Sequence, residues 1–223
     1  MTIRNWTRVI NWIGGLCTIW LLFYPVLYKI SVLINILVPI IAILFVYKHQ
    51  GEVGIDSRKW DNTPLPKIDW AILMPSFSLV LRATLDFEII GVKRLILFSI
   101  IISIPLIVIL WLGTKKYAVG KKIFIGFIWA SSFIFSFGSG TTIFINVFLD
   151  RSKPIIYKSK IISKKIEKGK ITSYRIDYEP WGPIKENDLM RVSKNEFEKL
   201  HINDSINLKL NHGFLKINWI LKK

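Results

Sequence analysis

Arg82, Asp86 and Glu88 fall within seven residues of one another in LVLRATLDFEIIGVKR (residues 79–94), with apolar sequence on both sides. On a helix, Arg82 and Asp86 lie one turn apart on one face, so the guanidinium and the carboxylate can pair. Ionisable groups inside a hydrocarbon layer cost a few kcal/mol, and where they occur they mark ion or substrate paths and proton relays. Arg82 and Asp86 are therefore the candidate intramembrane polar pair. If residues 71–91 cross a bilayer, Arg82 falls near its middle. If they lie flat, Pro75 opens an interfacial helix and Leu79, Val80 and Phe87 dip into the headgroup layer. The interfacial or re-entrant placement is the first expectation, and a fifth span is its alternative.

Other chemistry is harder to find. His49, His201 and His212 are far apart and have no cysteine or carboxylate at ligand spacing, which argues against a metal site. GIDSRK lacks the glycines of a phosphate loop, and FGSGTT sits inside an apolar run. No serine stands in a nucleophile-elbow context. Asp177, Glu179 and Glu186 are acidic residues in a basic strand region, where surface pairing is the ordinary role. No catalytic residue, metal or cofactor is assigned, and a non-enzymatic protein is expected.

Ser132, Ser136 and Gly140 recur every fourth residue in the last apolar run. Small residues at that spacing let helices approach closely, and their hydroxyls can bond across the contact. A helix-packing stripe is the reading; a pore lining would need several converging polar groups, and the other runs offer little beyond Asn35.

These residues need elements to hold them. The chain has 223 residues, 52% hydrophobic and 21% charged, with a mean hydropathy of +0.41. A soluble domain of this length carries more charge. The apolar residues cluster into spans of about 11–28, 30–47, 95–113 and 123–149, each close to the roughly 20 residues a crossing needs. The first is read as a retained anchor rather than a cleaved signal, because no small-residue site follows it. Cys17 lies within that run and has no partner for an internal disulfide. The first two runs meet at Lys29 as a tight hairpin, and Pro39 interrupts the second. Four spans with both ends inside place Arg4, Arg8, Lys67, Lys93, Arg94 and the early tail lysines on the inner side. Lys115, Lys116, Lys121 and Lys122 then lie outside. Five spans move Lys93, Arg94 and the tail outward, so four give the better balance.

Residues 1–149 form the transmembrane helical domain, with 14 basic and 6 acidic residues. Residues 150–223 form a basic soluble domain, with 17 and 9. Here the period changes to two. ITSYRIDY puts Thr172, Tyr174, Ile176 and Tyr178 on one face, SINLKL does so with Ile206, Leu208 and Leu210, and FLKINW with Leu215, Ile217 and Trp219. IIYKSKIISKKI and DLMRVS add strands. Ser193 and Glu196 have capping-box spacing for a short helix between DLMRVS and SINLKL. The order of strand, strand, strand, helix, strand, strand predicts a small β-barrel, OB-like or SH3-like. Lys158, Lys160, Lys164, Lys165, Lys168 and Lys170 are the candidate basic face turned to a membrane surface.

The segments LDRSKP, GKITSYRIDYEPWGP, VSKNEFEKL, HINDSINLKL and GFLKINW resemble a group of uncharacterised bacterial inner-membrane proteins, as does the Leu-Arg-Ala and Asp-Phe pattern near residue 82. That group joins several membrane helices to a C-terminal β domain of unknown function. The chain departs from its pattern with Asn203-Asp204 in place of a Gly-Asp turn, and with Phe214 in place of a small residue. The resemblance implies a multi-pass protein of the bacterial inner membrane and transfers no activity. The expected function is an adaptor or regulatory module at the membrane surface, with the β domain cytoplasmic. Its expected partners are the lipid bilayer, anionic headgroups and other membrane subunits. A transporter or channel component using Arg82 and Asp86 is the alternative. Nucleic-acid binding by an OB-like tail comes third, since Tyr174, Tyr178 and Trp219 are read as core residues rather than a stacking platform.

Overall fold

The computed structural model describes residues 1–223 except 25, 56–65, 115–120, 170, 171 and 223, with backbone alone over 121–126. The chain divides into two compact units, Met1–Leu85 with Gly91–Phe148 and Asp86–Ile90 with Leu149–Lys223.

The first unit contains helices α1 (Ile3–Phe23), α2 (Tyr28–Lys48), α3 (Asp69–Asp86), α4 (Val92–Thr114) and α5 (Lys121–Phe148). Three segments, α2, α4 and Phe127–Phe148 of α5, are long and apolar enough to cross a membrane. The 21 residues of α2 reach about 32 Å at the helical rise. The four expected spans thus meet three that qualify by length and composition. The difference is α1, which starts at Ile3 behind the Thr2 cap and so takes in Arg4, Arg8 and Asn11. It also ends at Phe23, and the chain reverses through Val26 and Leu27, the latter at φ 55, rather than at Lys29.

Cross-helix contacts fix the directions. Asn11 of α1 donates to the Lys67 carbonyl and accepts from Ala71 N–H, at the start of α3. Tyr28, at the start of α2, meets Phe144 and Phe148 near the end of α5 and carries the Arg82 guanidinium over its ring at 5.4 Å. Consecutive helices therefore alternate in direction, and α3 runs with α1 and α5.

The packing of α3 is one-sided. Ala71, Ile72, Ser76, Ser78, Leu79 and Ala83 are fully buried, whereas Trp70, Met74, Phe77 and Leu85 are exposed. Small and hydroxylated residues thus face inward and large apolar ones outward. Because α3 stops at Asp86, Arg82 sits in its last turn and not at mid-helix. At the centre, Asn35 is fully buried. Its Nδ2 donates to the Cys17 and Ser31 carbonyls at 2.9 and 2.8 Å, and its Oδ1 accepts from Ser78 Oγ at 3.2 Å. One amide thus joins α1, α2 and α3, with both of its N–H groups and its oxygen hydrogen-bonded.

The second unit comprises β1 (Phe87–Ile90), β2 (Ile155–Glu167), β3 (Ser173–Tyr178), β4 (Asp188–Val192), α6 (Lys194–Lys199), β5 (Ser205–Leu210) and β6 (Asn218–Leu221). An antiparallel sheet in the order β4-β3-β2-β5 curls into a half-barrel, and β1 pairs with β6 in a separate two-stranded ribbon. Inward residues Ile161, Ile176 and Phe197 form one apolar cluster, and Tyr178, Trp181, Leu208 and Leu210 form another. The capping box at Ser193 and Glu196 is complete. Where the sequence predicts a small OB-like or SH3-like barrel, the structure has a four-stranded half-barrel. FLKINW does not extend throughout: Gly213 and Lys216 take positive φ, 73 and 57, and only Asn218–Leu221 is strand. That strand joins β1, an element that sequence periodicity does not reveal.

Candidate functional site

The lysines chosen from sequence do not share one face. Alternation along β2 leaves Ile156, Lys158 and Lys160 outside while Ser159 and Ile161 are buried. A register shift between Ile161 and Ser163 then reverses the parity, as a bulge does. Lys164 is thereby turned to α6, where its ammonium lies 4.3 Å from the Phe197 ring centroid and donates to the Leu200 carbonyl. Lys165 stays outside and meets Asp177 at 2.7 Å, beside an Arg175–Glu167 pair at 2.9 Å. Hydrogen bonds from Lys165 and then Ser163 hold the Asp177 carboxyl below its ordinary range. Lys168 is exposed past the strand end, and Lys170 lies outside the described residues. The exposed basic patch is Lys158 and Lys160 with Lys209 of β5, which stands opposite Ile156.

The small-residue stripe also divides. Gly140 packs on the α3 backbone at Leu79–Val80, and Gly138 on Ser99 and Ser103 of α4. Ser136 is half-buried and Ser132 exposed, and their hydroxyls close on the Ser132 and Ile128 carbonyls of their own helix. Arg82 and Asp86 stand one turn apart where α3 ends. The Asp86 carbonyl accepts from Lys222 N–H at 2.8 Å.

That bond belongs to a junction within the second unit, and the junction is the most organised polar feature there. Asp150 follows α5 directly. Its Oδ1 accepts from Ser152 N–H at 2.8 Å, and its Oδ2 from Gly213 N–H at 2.9 Å and the Trp219 indole at 3.0 Å. Trp219 also meets the Phe87 ring edge-on at 5.4 Å and exchanges both backbone bonds with Asn211. A single indole thus touches the residues that leave α3 and those that leave α5. Compared with family models, curated proteins and solved structures, the chain matches none.

Burial raises the Asp150 carboxyl, but the bonds from Ser152, Trp219 and Gly213 outweigh it and hold the group below the usual carboxylate range. With the folded value depressed, its stabilisation is complete above the unfolded value and fades as pH falls through both. Asp150→Asn should cost about 1.5–3 kcal/mol near neutral pH, the scale of charged hydrogen bonds. The gap to the parent should narrow below about pH 4. Urea midpoints of the full chain in micelles at pH 6 and pH 3 check both points.

By sequence Trp219 belongs to the apolar face of a strand and Asp150 is the first residue of the tail domain, and no local pattern connects the two. The available signal was local: FEII followed by Gly91 is a short β-prone run ending at a residue free to take φ +109. His49 lies 3.6 Å from Glu52 and His201 3.5 Å from Asp204. Among the described residues, no three His, Cys, Asp or Glu side chains converge as a metal site would require.

Proposed function

We propose that this chain is a non-enzymatic, multi-pass protein of the bacterial inner membrane whose C-terminal unit acts as an adaptor or regulatory module at the membrane surface. The observation that carries the reading is β1. The C-terminal unit takes a strand from the segment between α3 and α4, so it is completed by residues that lie between two helices in sequence. The exposed Lys158, Lys160 and Lys209, beside Ile156, suit an anionic leaflet or an acidic face of a partner subunit.

In this proposal all five helices cross. The apolar outer stripe of α3 supports a fifth crossing, and a helix shielded by neighbours tolerates more polar residues than one facing lipid all round. The C-terminal unit and the N-terminus then lie on opposite faces. The C-terminal unit is assigned to the cytoplasmic side, where the leaflet is anionic. This orientation keeps Lys93, Arg94 and the tail lysines inside and sets Arg4, Arg8 and Lys67 outside, the reverse of five spans with the N-terminus inside. The position of Arg82 in the last turn of α3, over Tyr28, favours an anchoring role over a polar path.

The test is sidedness in intact cells. Single cysteines at Thr2, Val26 and Asn211, in a Cys17→Ser background, are exposed to an impermeant thiol reagent. Labelling of Thr2 alone is the expected result. Labelling of Val26 and Asn211 without Thr2 would place the module outside and end the cytoplasmic-adaptor reading. Equal labelling of Thr2 and Asn211 would mean that α3 does not cross.

A further inference from the structure

We propose that the free edge of β4 docks a short extended segment of a partner protein, paired to Arg191 through the backbone and carrying a carboxylate opposite its guanidinium. The inference gives the adaptor reading a contact surface, and it rests on that reading for the existence of a partner. Every residue it uses lies within the second unit.

The four-stranded sheet ends at β4, which pairs with β3. Met190 and Val192 turn inward onto the apolar clusters. Leu189 and Arg191 therefore lie on the outer face, and both are exposed. Along an antiparallel strand the backbone groups of successive residues point alternately toward the neighbouring strand and away from it. Leu189 N–H donates to Asp188 Oδ1 at 2.7 Å and not to β3, so Leu189 and Arg191 aim their backbone groups at the open edge. Ser193 is also extended and keeps the same parity. Its N–H donates to Glu196 Oε2 at 3.0 Å, and its carbonyl accepts from Phe197 N–H.

An open strand edge is a template for pairing, and proteins blunt it. Here Asp188 and Glu196 blunt it on either side of Arg191 and leave the middle. Among the described residues, no bond reaches the outward N–H and carbonyl of Arg191 or the carbonyl of Leu189. An antiparallel segment can exchange both bonds with Arg191 and donate once more to Leu189. It must then turn away, because α6 starts at Lys194.

The side chains say what that segment carries. Lys165, Arg175 and Arg191 stand in one row across β2, β3 and β4. Like charges directly opposite one another are destabilising, and a pair without shared backbone bonds, such as Arg175 and Arg191, is the closer kind. Lys165 has Asp177 at 2.7 Å, and Arg175 has Glu167 at 2.9 Å. Among the described residues Arg191 has no carboxylate, so three cations share two anions and the missing one belongs at the edge. A Glu or Asp opposite Arg191 supplies it, and an apolar residue two positions further on meets Leu189. Backbone bonds give such strand additions their affinity, and alternate side chains give specificity. A lipid phosphate could accept from the guanidinium, but it has nothing to donate to the two open carbonyls, so a peptide fits this edge better than a headgroup.

The probe is a fluorescent, end-capped peptide, Thr-Val-Glu-Thr-Ile-Thr, which sets glutamate opposite Arg191 and isoleucine opposite Leu189. Its anisotropy is titrated with the full chain in phosphatidylcholine nanodiscs. Saturable binding is expected, weakened about tenfold by Arg191→Glu. That variant should regain binding when lysine replaces the glutamate of the probe. Methylating the glutamate amide nitrogen should abolish binding to the parent, since it removes the donor to the Arg191 carbonyl. Arg191 is exposed, so its replacement leaves the fold intact. No saturable binding, equal affinity for parent and Arg191→Glu, or full binding of the methylated probe would each overturn the proposal. Displacement of the probe in phosphatidylglycerol nanodiscs would assign Arg191 to lipid headgroups and overturn it as well. Thiol labelling at Thr2, Val26 and Asn211 tests the adaptor reading by itself, so the two failures are told apart.

Discussion

Gly140→Leu is expected to destabilise the packing of α5 against α3 strongly. A Cβ at this position would stand 2.7 Å from Val80 N and 2.8 Å from the Leu79 carbonyl carbon. These are backbone atoms in the middle of α3, so no side-chain rotation relieves the clash. The helix has to withdraw, and withdrawal also breaks the seating of Gly138 on Ser103. Overpacking in a well-filled core costs about 1–3 kcal/mol, occasionally more, and a double clash with backbone belongs at the top of that range. Gly15→Leu is the matched control, since nothing lies within 4 Å of its added Cβ. Unfolding in mixed micelles by rising SDS fraction should separate the two variants clearly. Similar midpoints would mean that α3 and α5 do not pack as described.

The second large effect is expected at Trp219. Trp219→Ala removes the indole donor to Asp150 and the ring edge against Phe87 together. Loss of a large aromatic from a packed site costs about 3–5 kcal/mol when burial is complete. Trp219 is partly exposed, so about 3 kcal/mol is the expected figure. Trp219→Phe keeps most of the ring and drops the donor, leaving Asp150 short of one bond at a cost of about 1.5 kcal/mol or a little more. Urea midpoints of the full chain should rank parent, phenylalanine and alanine in that order. Limited proteolysis between Asp86 and Gly91 should speed up in the same order, because both substitutions loosen what holds Phe87.

Much of the second unit was legible because period-two alternation speaks for itself. Tyr174, Ile176 and Tyr178 turn inward as their spacing predicts, and Leu208 and Leu210 do the same in β5. The short helix was visible in Ser193 and Glu196, and its capping box is present. Asn203 takes φ 74 at the turn before β5. Asparagine accepts that conformation more readily than most residues.

What was not legible depends on contacts distant in sequence. The lysines of β2 are expected to form one solvated face, but a single register shift at Ile161/Ser163 sends Lys164 to the other side. Bulges leave no periodic trace. The burial of α3 was hidden by its composition: Arg82, Asp86 and several hydroxyl residues lower its hydropathy, and only the packing shows that the hydroxyls face inward. For Ser132, Ser136 and Gly140, four-residue spacing singled out one face, while the close approach falls at Gly138 and Gly140. The partner of FEII lies far along the chain, beyond any local pattern.

That distance has a consequence for biosynthesis. Phe87 meets Leu221, 134 positions later. At about 5–20 residues per second, β1 leaves the ribosome roughly 7–27 s before its partner exists. Throughout that interval α4 and α5 are being placed while a short apolar strand waits with both edges open, the kind of template on which wrong pairings start. Only the arrival of Asn218–Leu221 pairs one of those edges. A polypeptide released before Asn218 keeps both edges open, so it carries a mark that pairing with β6 removes from one of them.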